Sequence, residues 1–519
     1  MARAKNNFLL IKSTLILTFA GVITRILGFF FRIYMTKKMG AECIGLYQLI
    51  LPIYNLAWSI SCAGFATAIS KITAQESEKK NLPTANLILK QSLFISFIIS
   101  AILNLFLYFN SGFLCKYIFN DNRLNLAIKI LSFAFIFMSL GSCLRGFFIG
   151  LQESFVPAIS QILEQIIHML TIYFLINKIP SDIKYMCALT IFGMVLGEFF
   201  AFIYTYFAYK KFIFKHKKNA QANINFYSAF YLILATAFPL SANKIINSGL
   251  YALENILIPK RLILNGFDFK NAISLYGKIT GMAMPLIYFP SVFLVSLSVS
   301  IVPEVSRVYA KKNRDKINNT VSKTILFTVI IGLGATIFFT IFSRELGLFI
   351  YNQNISFILK FLSLLCPFIY LQMVLSGILN GLGKQIFVFR NNLIASGINL
   401  FFIYFFIPYK GIIAFIFGWL ASLIVACLLD LNVITKTIDI KLKFDELILK
   451  PFLATTLSGL IANFFAKNFI LAHKFLNNIY GLAICTIFFG LIYIFFVLMT
   501  GSAKINELKK LGSVHIKQK

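Results

Sequence analysis

The sequence predicts an all-α integral membrane protein of fourteen transmembrane helices, built as two six-helix lobes related by a pseudo-twofold repeat and followed by two C-terminal helices. Three observations predict this class. Of the 519 residues, 59% are apolar and only 13% are charged, whereas an ordinary soluble domain carries about 25% charged residues. The apolar residues form fourteen long stretches, and short motifs of the first half return in the second half.

Each apolar stretch is long enough to cross a membrane, because about 20 mostly apolar residues span the roughly 30 Å of hydrocarbon. Fourteen such spans leave room only for loops and two tails, so the sequence excludes a large soluble domain. The activity must therefore lie inside the bilayer or at its surfaces. In chain order, predicted spans 1 to 14 begin near Ser13, Gly45, Ala85, Asn125, Val156, Lys184, Tyr227, Leu275, Thr320, Ser356, Gln385, Gly411, Leu449 and Ile479.

The distribution of charge predicts the orientation of the chain. The 49 basic and 18 acidic side chains leave a formal charge of +31, and the densest basic runs, at residues 210–218 and 307–316, lie in loops on the side of the N-terminus. By the positive-inside rule, both termini are expected in the cytoplasm. The basic rim is expected to contact anionic membrane lipids, and nucleic acid is not expected as a partner.

The cysteines indicate neither a disulfide framework nor a metal site. The eight cysteines stand singly, with no CxxC pair, and they do not cluster with the four histidines. Both a zinc site and a set of disulfides would require such clustering or pairing. No cofactor is expected, apart from a coupling cation or the membrane potential as the source of energy.

Repeated motifs indicate an internal duplication. Six spans per copy is an even number, so both copies face the same way across the membrane, as in one class of secondary transporters. The predicted division is an N-terminal lobe at residues 1–218, a C-terminal lobe at 219–436, and spans 13 and 14 with a cytoplasmic tail at 437–519. The motif pairs, offset by 231, 229 and 236 positions, are Leu144 to Leu151 with Leu375 to Leu382, Leu46-Tyr47 with Leu275-Tyr276, and Ser70-Lys71 with Ser306-Arg307.

Span 1 carries two arginines, Arg25 and Arg32, on one helical face together with Thr18, Gly21 and Gly28. Successive steps of three and four residues place side chains on one side of a helix. Arg25 lies roughly 18 Å along the span, where an arginine costs about 2.5 to 3.5 kcal/mol, so it should face water or an anion. The alternative for both arginines is that the side chain snorkels to the membrane interface.

Span 7 repeats this pattern with Lys244, Asn247, Ser248, Tyr251 and Glu254 on one face. Lys244 lies in the first span of the second half, as Arg25 lies in the first span of the first half. The two cationic faces are therefore expected to meet across a central cleft. The alternative is that Lys244 pairs with a neighbouring carboxylate.

Span 5 carries a polar stripe of Gln161, Glu164, Gln165 and His168 within an apolar helix. A carboxylate and an imidazole one turn apart predict a proton or cation relay, to which we also assign Glu254 of span 7. The alternative is hydrogen bonding between helices.

Arg145, near the cytoplasmic end of span 4, is a further candidate for binding the transported molecule, with snorkelling to the interface as its alternative. Glu198 stands alone in span 6, and we assign it no role.

Cationic side chains inside a membrane favour a phosphorylated anion, because arginine offers a planar fork of donors and lysine a compact positive charge. A carrier of hydrophobic cations would instead need aromatic faces and carboxylates, and a cation-coupled multidrug exporter remains the alternative within transport. A membrane-embedded glycosyltransferase or ligase should carry catalytic groups on a long outer loop. The loop at 254–272 offers only Glu254 and Asp268, so a transporter is predicted rather than an enzyme.

Several motifs together resemble the stage V sporulation protein B and polysaccharide biosynthesis family of the multidrug, oligosaccharidyl-lipid and polysaccharide exporter superfamily, whose relatives include lipid II flippases. The similar segments run across spans 1 to 11. They are Gly21 to Phe29, Gly40-Ala41-Glu42, Gly45 to Gln48, Leu144-Arg145-Gly146 through Pro157 to Glu164-Gln165, Leu275 to Lys278 through Pro285 and Pro290 to Val302-Pro303-Glu304, and Pro367-Phe368 through Gly377 and Gly381 to Gly383.

The resemblance implies a flippase that moves an undecaprenyl-pyrophosphate glycan by alternating access of two six-helix lobes. The glycan would be a peptidoglycan precursor for the spore cortex, and the location would be the bacterial cell membrane. The related peptidoglycan-precursor flippases rely on arginines in the first helix. Arg25 matches one of them, and Arg32 matches a second with a shift of one residue. Cell-wall synthases are expected as partners.

Overall fold

The computed structural model describes residues 2–79, 81–216, 226–311, 313–438, 445–470 and 479–502. Over these ranges the chain is helical, with no β-strand, and this confirms the all-α membrane class. Eleven described helices are long and apolar enough to cross a membrane, or twelve with the bent pair Ser356–Ser363 and Cys366–Gly381 counted as one. The number of fourteen spans stays a prediction. The predicted lobe boundary at residue 218 and the C-terminal tail at 503–519 lie outside the described residues.

The helices form two compact units by packing. The first unit comprises Met1–Lys260 and Asp268–Gly277. It therefore includes most of the seventh predicted span as well as the first six. Its helices are α1 (Ala2–Trp58), α2 (Gly64–Glu78), α3 (Leu82–Phe109), α4 (Ser111–Phe113), α5 (Asn125–Gly150), α6 (Phe155–Leu175), α7 (Ile183–Lys215), α8 (Phe226–Leu264), whose last residues belong to the second unit, and α9 (Phe269–Gly277).

The second unit comprises Arg261–Phe267 and Lys278–Lys519. The predicted division into lobes at residues 218 and 436 stays a prediction. The helices of this unit are α10 (Met284–Tyr288), α11 (Ser291–Ala310), α12 (Arg314–Ile341), α13 (Ser343–Tyr351), α14 (Ser356–Ser363), α15 (Cys366–Gly381), α16 (Gln385–Phe405), α17 (Ile407–Lys410), α18 (Ile412–Ile438), α19 (Lys450–Phe465) and α20 (Ile479–Met499).

Helix α1 joins predicted spans 1 and 2 without a loop. Its backbone is non-helical only at Gly40, where φ is 78° and ψ is 173°. Residues with a side chain rarely adopt a positive φ, and glycine does so without steric cost. Beyond Trp58, one π-helical segment, Ser59–Ala63, connects α1 to α2. The polar face of span 1 and the start of span 2 therefore belong to one continuous helix that is kinked at Gly40.

Glycines of α5 bring that helix into backbone contact with α2. A Cβ atom added to Gly146 would lie 2.5 Å from the carbonyl oxygen of Ala66, and one added to Gly150 would lie 2.6 Å from that of Ser70. Real Cβ atoms do not approach an oxygen so closely, so these two positions require glycine.

The second unit repeats this contact between α15 and α11. A Cβ atom on Gly377 would overlap the Ser298 side chain, and one on Gly381 would lie 2.9 Å from the carbonyl oxygen of Val302. The two glycines follow their counterparts in the first unit by 231 positions, and their partners follow theirs by 232. The motif repeat read from the sequence thus corresponds to the same helix contact, made once in each unit.

Replacing Gly146 with alanine should destabilise the fold by about 1 to 3 kcal/mol, the usual cost of forcing an extra carbon into a packed contact. The midpoint of thermal unfolding of the detergent-solubilised protein measures this effect. Gly490 of α20 is the control, since a Cβ there would meet nothing within 4 Å, and alanine favours a helix over glycine by roughly 0.5 to 1 kcal/mol. Equal midpoints for Gly146→Ala and Gly490→Ala would contradict the close α2 to α5 contact.

All eight cysteines are buried and unpaired. Within the described ranges, no three histidine, cysteine, aspartate or glutamate side chains come close enough together to hold a metal ion. The thiols are packing residues of the helix interfaces.

Candidate functional site

The two arginines of α1 differ in exposure. Arg25 is exposed and Arg32 is half-buried. Neither forms an ion pair with any residue that the structure describes. The charge of Arg32 acts on the hydroxyl groups of Tyr47 and Tyr251, so this guanidinium lies near both the start of span 2 and helix α8.

Helix α1 packs against α6 near Gly28, which lies on the arginine face, and at Phe31 beside it. A Cβ atom on Gly28 would lie 3.7 Å from the side-chain nitrogen of Gln165, and the ring of Phe31 meets the His168 ring edge to face, with 4.9 Å between centroids. Helix α6 therefore lies beside the part of α1 between Arg25 and Arg32.

Helix α8 turns its polar face toward the junction of α1 and the π-helical segment. The Lys244 ammonium lies 5.4 Å from the centroid of the Trp58 ring, within the range of a cation–π contact. One turn further along, the hydroxyl oxygens of Ser248 and Ser59 are 2.5 Å apart. Tyr251, the residue near Arg32, follows Lys244 by seven residues, or about 10 Å along the helix. The α8 face thus connects the surroundings of Arg32 with those of Lys244.

Glu254, one turn beyond Tyr251 on this face, is half-buried. Its charge also acts on the Tyr251 hydroxyl. The Tyr251 hydroxyl is therefore influenced by both a cation from α1 and a carboxylate of its own helix.

Arg145 and Glu164 are brought together within the first unit. An Nη1 atom of Arg145 lies 3.8 Å from Oε2 of Glu164, and the arginine charge also acts on Glu198 of α7. The hydroxyl of Tyr54 donates a hydrogen bond of 2.7 Å to Oε1 of Glu198. One arginine, two carboxylates and one phenol, each from a different helix, thus form a cluster that we call the Arg145 cluster.

The Arg145 cluster is closed at one end and accessible at the other. Glu198 is only 2% exposed, while the Glu164 side chain is 32% exposed and that of Arg145 14%. Among the described groups, Oε2 of Glu198 and Nη1 of Arg145 are buried without a hydrogen-bond partner. The 3.8 Å between Arg145 and Glu164 also exceeds the about 2.7 to 2.9 Å of a charge-assisted hydrogen bond.

The other members of the polar stripe on α6 point elsewhere. His168 is buried, and its Nε2 atom lies 3.2 Å from the carbonyl oxygen of Thr190 on α7. Gln161 is exposed. No hydrogen bond joins Glu164 to His168 within the described ranges, so the stripe divides into a charged part at Arg145 and a packing part at Thr190.

Sequence reasoning passed over Glu198 because a single glutamate in an apolar helix has no local pattern. Its counterpart Asp430, 232 positions later on α18, is 1% exposed and accepts a hydrogen bond of 2.8 Å from the side-chain nitrogen of Asn391. The recurrence of a single acidic residue within an apolar stretch at the spacing of the repeat was the signal available in the sequence.

The sequence is similar to known protein families and to individual proteins of Bacillus subtilis. A family model described as polysaccharide biosynthesis protein matches residues 10–308, and one described as MatE matches residues 279–405. Stage V sporulation protein B of Bacillus subtilis (strain 168) is 28% identical over 469 residues, which is 89% of each chain. The lipid II flippase MurJ of the same organism is 23% identical over 351 residues, 62% of each chain.

Solved structures show the same fold. The inward closed conformation of lipid II flippase MurJ has a TM-score of 0.66 and 19% identity, and covers 93% of this chain and 98% of its own. An inward-facing multidrug resistance MATE family transporter of the MOP superfamily has a TM-score of 0.64 and 14% identity, and covers 80% of this chain and 98% of its own. The relatives whose names state an activity are flippases and transporters, in agreement with the prediction that this multi-pass membrane protein is not an enzyme.

Proposed function

Because the chain belongs to the polysaccharide biosynthesis protein family, we propose that it is a flippase that moves a lipid-linked glycan from one membrane leaflet to the other by alternating access. The finer proposal is an undecaprenyl-pyrophosphate glycan, a peptidoglycan precursor for the spore cortex. Similarity to a sporulation protein over 89% of the chain and to a lipid II flippase supports it.

The observation that carries this proposal is the pair of arginines on α1 that lack a carboxylate partner among the described residues. A charge within a membrane-spanning helix is expensive unless it faces water or an opposite charge. A pyrophosphate group supplies that opposite charge, and arginine matches its oxygens with two parallel donors. Arg25 and Arg32 would hold the phosphates at α1.

Helix α8 would supply the other side of this site. Lys244 offers a compact ammonium beside the Trp58 ring, and Ser248 with Ser59 offers hydroxyl groups. An aromatic face next to hydroxyl groups suits a sugar as well as a phosphate. In this proposal Arg145 contributes indirectly, since Glu164 already lies 3.8 Å from it.

Energy coupling belongs to the same proposal. Of the four predicted relay residues, Glu164 and Glu254 keep the proposed role of relaying a coupling cation, whereas Gln161 is exposed and His168 is turned away from Glu164, to the Thr190 carbonyl group. The membrane potential is the other proposed source of energy. Both termini are proposed to lie in the cytoplasm of the bacterial cell. Cell-wall synthases and anionic lipids are the proposed partners.

A cation-coupled multidrug exporter is the second candidate. It is favoured by the MatE match at residues 279–405. Such an exporter would bind cations, which the arginines of α1 would repel.

Reconstitution of the full chain into vesicles tests the two functions together. Defined lipid-pyrophosphate glycans in one leaflet should appear in the other, with and without an imposed membrane potential, as measured by the access of a water-soluble glycan-modifying enzyme. Efflux of cationic dyes without movement of the glycan lipid would reject the flippase and support the exporter. Vesicles that lack the protein are the control and should show no movement of the glycan lipid.

A further inference from the structure

One aromatic ring lies where the polar faces of α1 and α8 meet in the first unit. The Trp58 ring is half-buried, and the Lys244 ammonium lies 5.4 Å from its centroid. We propose that a sugar ring of the transported glycan stacks on Trp58, and that this contact distinguishes the glycan-bearing lipid from the same lipid pyrophosphate without a glycan. This inference rests on the proposed function. We call the residues concerned the Trp58 subsite; they are Asn55, Trp58 and Ser59 of the α1 side and Lys244, Asn247 and Ser248 of α8.

Phosphate binding alone does not provide this selectivity. The arginines of α1 would hold the pyrophosphate, and both lipids carry that group. A protein discriminates between two ligands only through a difference in their binding free energies. The selective contact must therefore be made to the sugar, at a residue other than Arg25 and Arg32.

The Trp58 subsite lies a short distance along α8 from the surroundings of Arg32. Tyr251, whose hydroxyl is influenced by the Arg32 charge, follows Lys244 by seven residues, or about 10 Å along the helix. The first sugar of the proposed cargo is bonded directly to the pyrophosphate. A glycan that has its phosphates at Arg32 and extends along α8 therefore reaches Trp58.

Trp58 lies at an unusual depth for a tryptophan of a membrane protein. Tryptophan is enriched at the two membrane–water interfaces. Trp58 follows the predicted start of span 2 at Gly45 by thirteen residues, which is roughly 20 Å into a hydrocarbon layer of about 30 Å. Anchoring at an interface does not account for a tryptophan at this depth, so a role in binding is the better explanation.

An indole ring flanked by amide and hydroxyl groups matches the two kinds of surface that a sugar presents. The negative face of an aromatic ring attracts positively polarised C–H groups, and a pyranose ring carries such groups. Asn55 is exposed one turn before Trp58. Asn247 lies one turn beyond Lys244, and its side-chain nitrogen donates a hydrogen bond of 3.0 Å to the carbonyl oxygen of Asn243. Each amide offers two donors and an acceptor, as the hydroxyl groups of a sugar require.

A close helix crossing holds the Trp58 ring in position. A Cβ atom on Gly64 would lie 2.5 Å from the carbonyl oxygen of Ala237, so the first residue of α2 is in backbone contact with α8. At the start of the π-helical segment, the hydroxyl oxygens of Ser59 and Ser248 are 2.5 Å apart. These contacts fix Trp58 relative to α8 before a ligand binds, which lowers the entropic cost of recognition.

Two other aromatic residues are engaged elsewhere. The hydroxyl of Tyr54, one turn before Trp58, donates its hydrogen bond to Glu198. Trp419, the second tryptophan of the chain, packs on Phe415 within α18 of the second unit, with 5.7 Å between ring centroids. Trp58 is therefore the aromatic residue beside Lys244 that remains for the sugar.

Binding at the subsite can be measured with the Trp58 ring itself. In the purified full-length Trp419→Phe variant, Trp58 is the single tryptophan of the chain. Undecaprenyl pyrophosphate that carries a disaccharide should shift its fluorescence in a saturable way. Undecaprenyl pyrophosphate without sugar should also bind, as measured by calorimetry, but should shift the fluorescence less.

Substitution of the ring tests the selectivity. Trp58→Leu should weaken binding of the disaccharide lipid by about 3- to 10-fold, the range expected for one aromatic contact, and leave the affinity for the sugar-free lipid unchanged. The unchanged affinity also shows that the variant is folded. Trp58→Phe keeps an aromatic face and should retain part of the preference, and Trp419→Leu is the matched control that should retain all of it.

The outcomes separate this inference from the proposed function. Equal weakening of both lipids in Trp58→Leu, or weakening of neither, would overturn the sugar platform but not the flippase, which is tested by glycan movement in vesicles. Wild-type protein that binds the two lipids equally would overturn the platform as well. A preference for the disaccharide lipid that depends on Trp58, together with no glycan movement under any condition, would reject the flippase while the binding site stands.

Discussion

Translocation of a pyrophosphate-linked glycan should fall by about 10- to 100-fold when Arg25 is replaced by glutamine, and by a similar factor for Lys244→Gln. A hydrogen bond to a charged group contributes roughly 1.5 to 3 kcal/mol, and each 1.4 kcal/mol corresponds to about tenfold in affinity. Glutamine keeps the length and polarity of the side chain but removes its charge. The measurement is the initial rate of glycan movement into reconstituted vesicles, at equal amounts of inserted protein.

Two further variants separate a local role from a loss of positive charge in general. Arg25→Lys keeps the charge but loses the planar fork, so we expect an intermediate rate. Lys467→Gln removes an exposed lysine of the second unit and should leave the rate unchanged. Full transport by both Arg25→Gln and Lys244→Gln would show that these cations do not bind the headgroup.

The second large effect is expected on stability. Arg145→Met should destabilise the protein, by less than the about 3 to 5 kcal/mol that removing one partner of a fully buried ion pair costs, because the Glu164 partner is 32% exposed. Glu198 would then be left at 2% exposure with only the Tyr54 hydroxyl to stabilise its charge. The midpoint of thermal unfolding of the detergent-solubilised variant should therefore drop below that of wild type.

A second substitution makes this prediction specific. Adding Glu198→Gln to Arg145→Met removes the orphaned carboxylate and should recover a large part of the lost stability. Arg344→Met, which replaces an exposed arginine, serves as the control and should stay within about 0.5 kcal/mol of wild type. A double variant no more stable than Arg145→Met would mean that Glu198 does not depend on the arginine.

The membrane class and the duplication were predictable because both leave a regular pattern along the chain. Long apolar runs directly predict transmembrane helices. The recurrence of Gly146 and Gly150 as Gly377 and Gly381 predicted a repeat, and each pair makes the same close helix contact in its own unit. Glycines at such contacts carry information because no other residue fits.

The Arg145 cluster could be predicted only in part. The polar stripe of α6 identified Glu164, and Arg145 was a candidate for substrate binding because it is a cationic residue within a predicted span. Their contact with each other depends on how α5 packs against α6. Glu198 and Tyr54 are 144 residues apart, and each is a single polar residue in an apolar helix. The break at Gly40 was equally hidden, because a glycine between two spans is compatible with a loop as well as with a continuous bent helix.

The burial of every native thiol makes this protein convenient for chemical mapping. A membrane-impermeant maleimide should react with one cysteine newly placed in an exposed connection, while the eight native ones stay protected. Glu153 and Lys178 are exposed and lie just before and just after α6. Glu153→Cys and Lys178→Cys should therefore be labelled from opposite faces of the cell membrane, which would establish which end of each helix meets the outside.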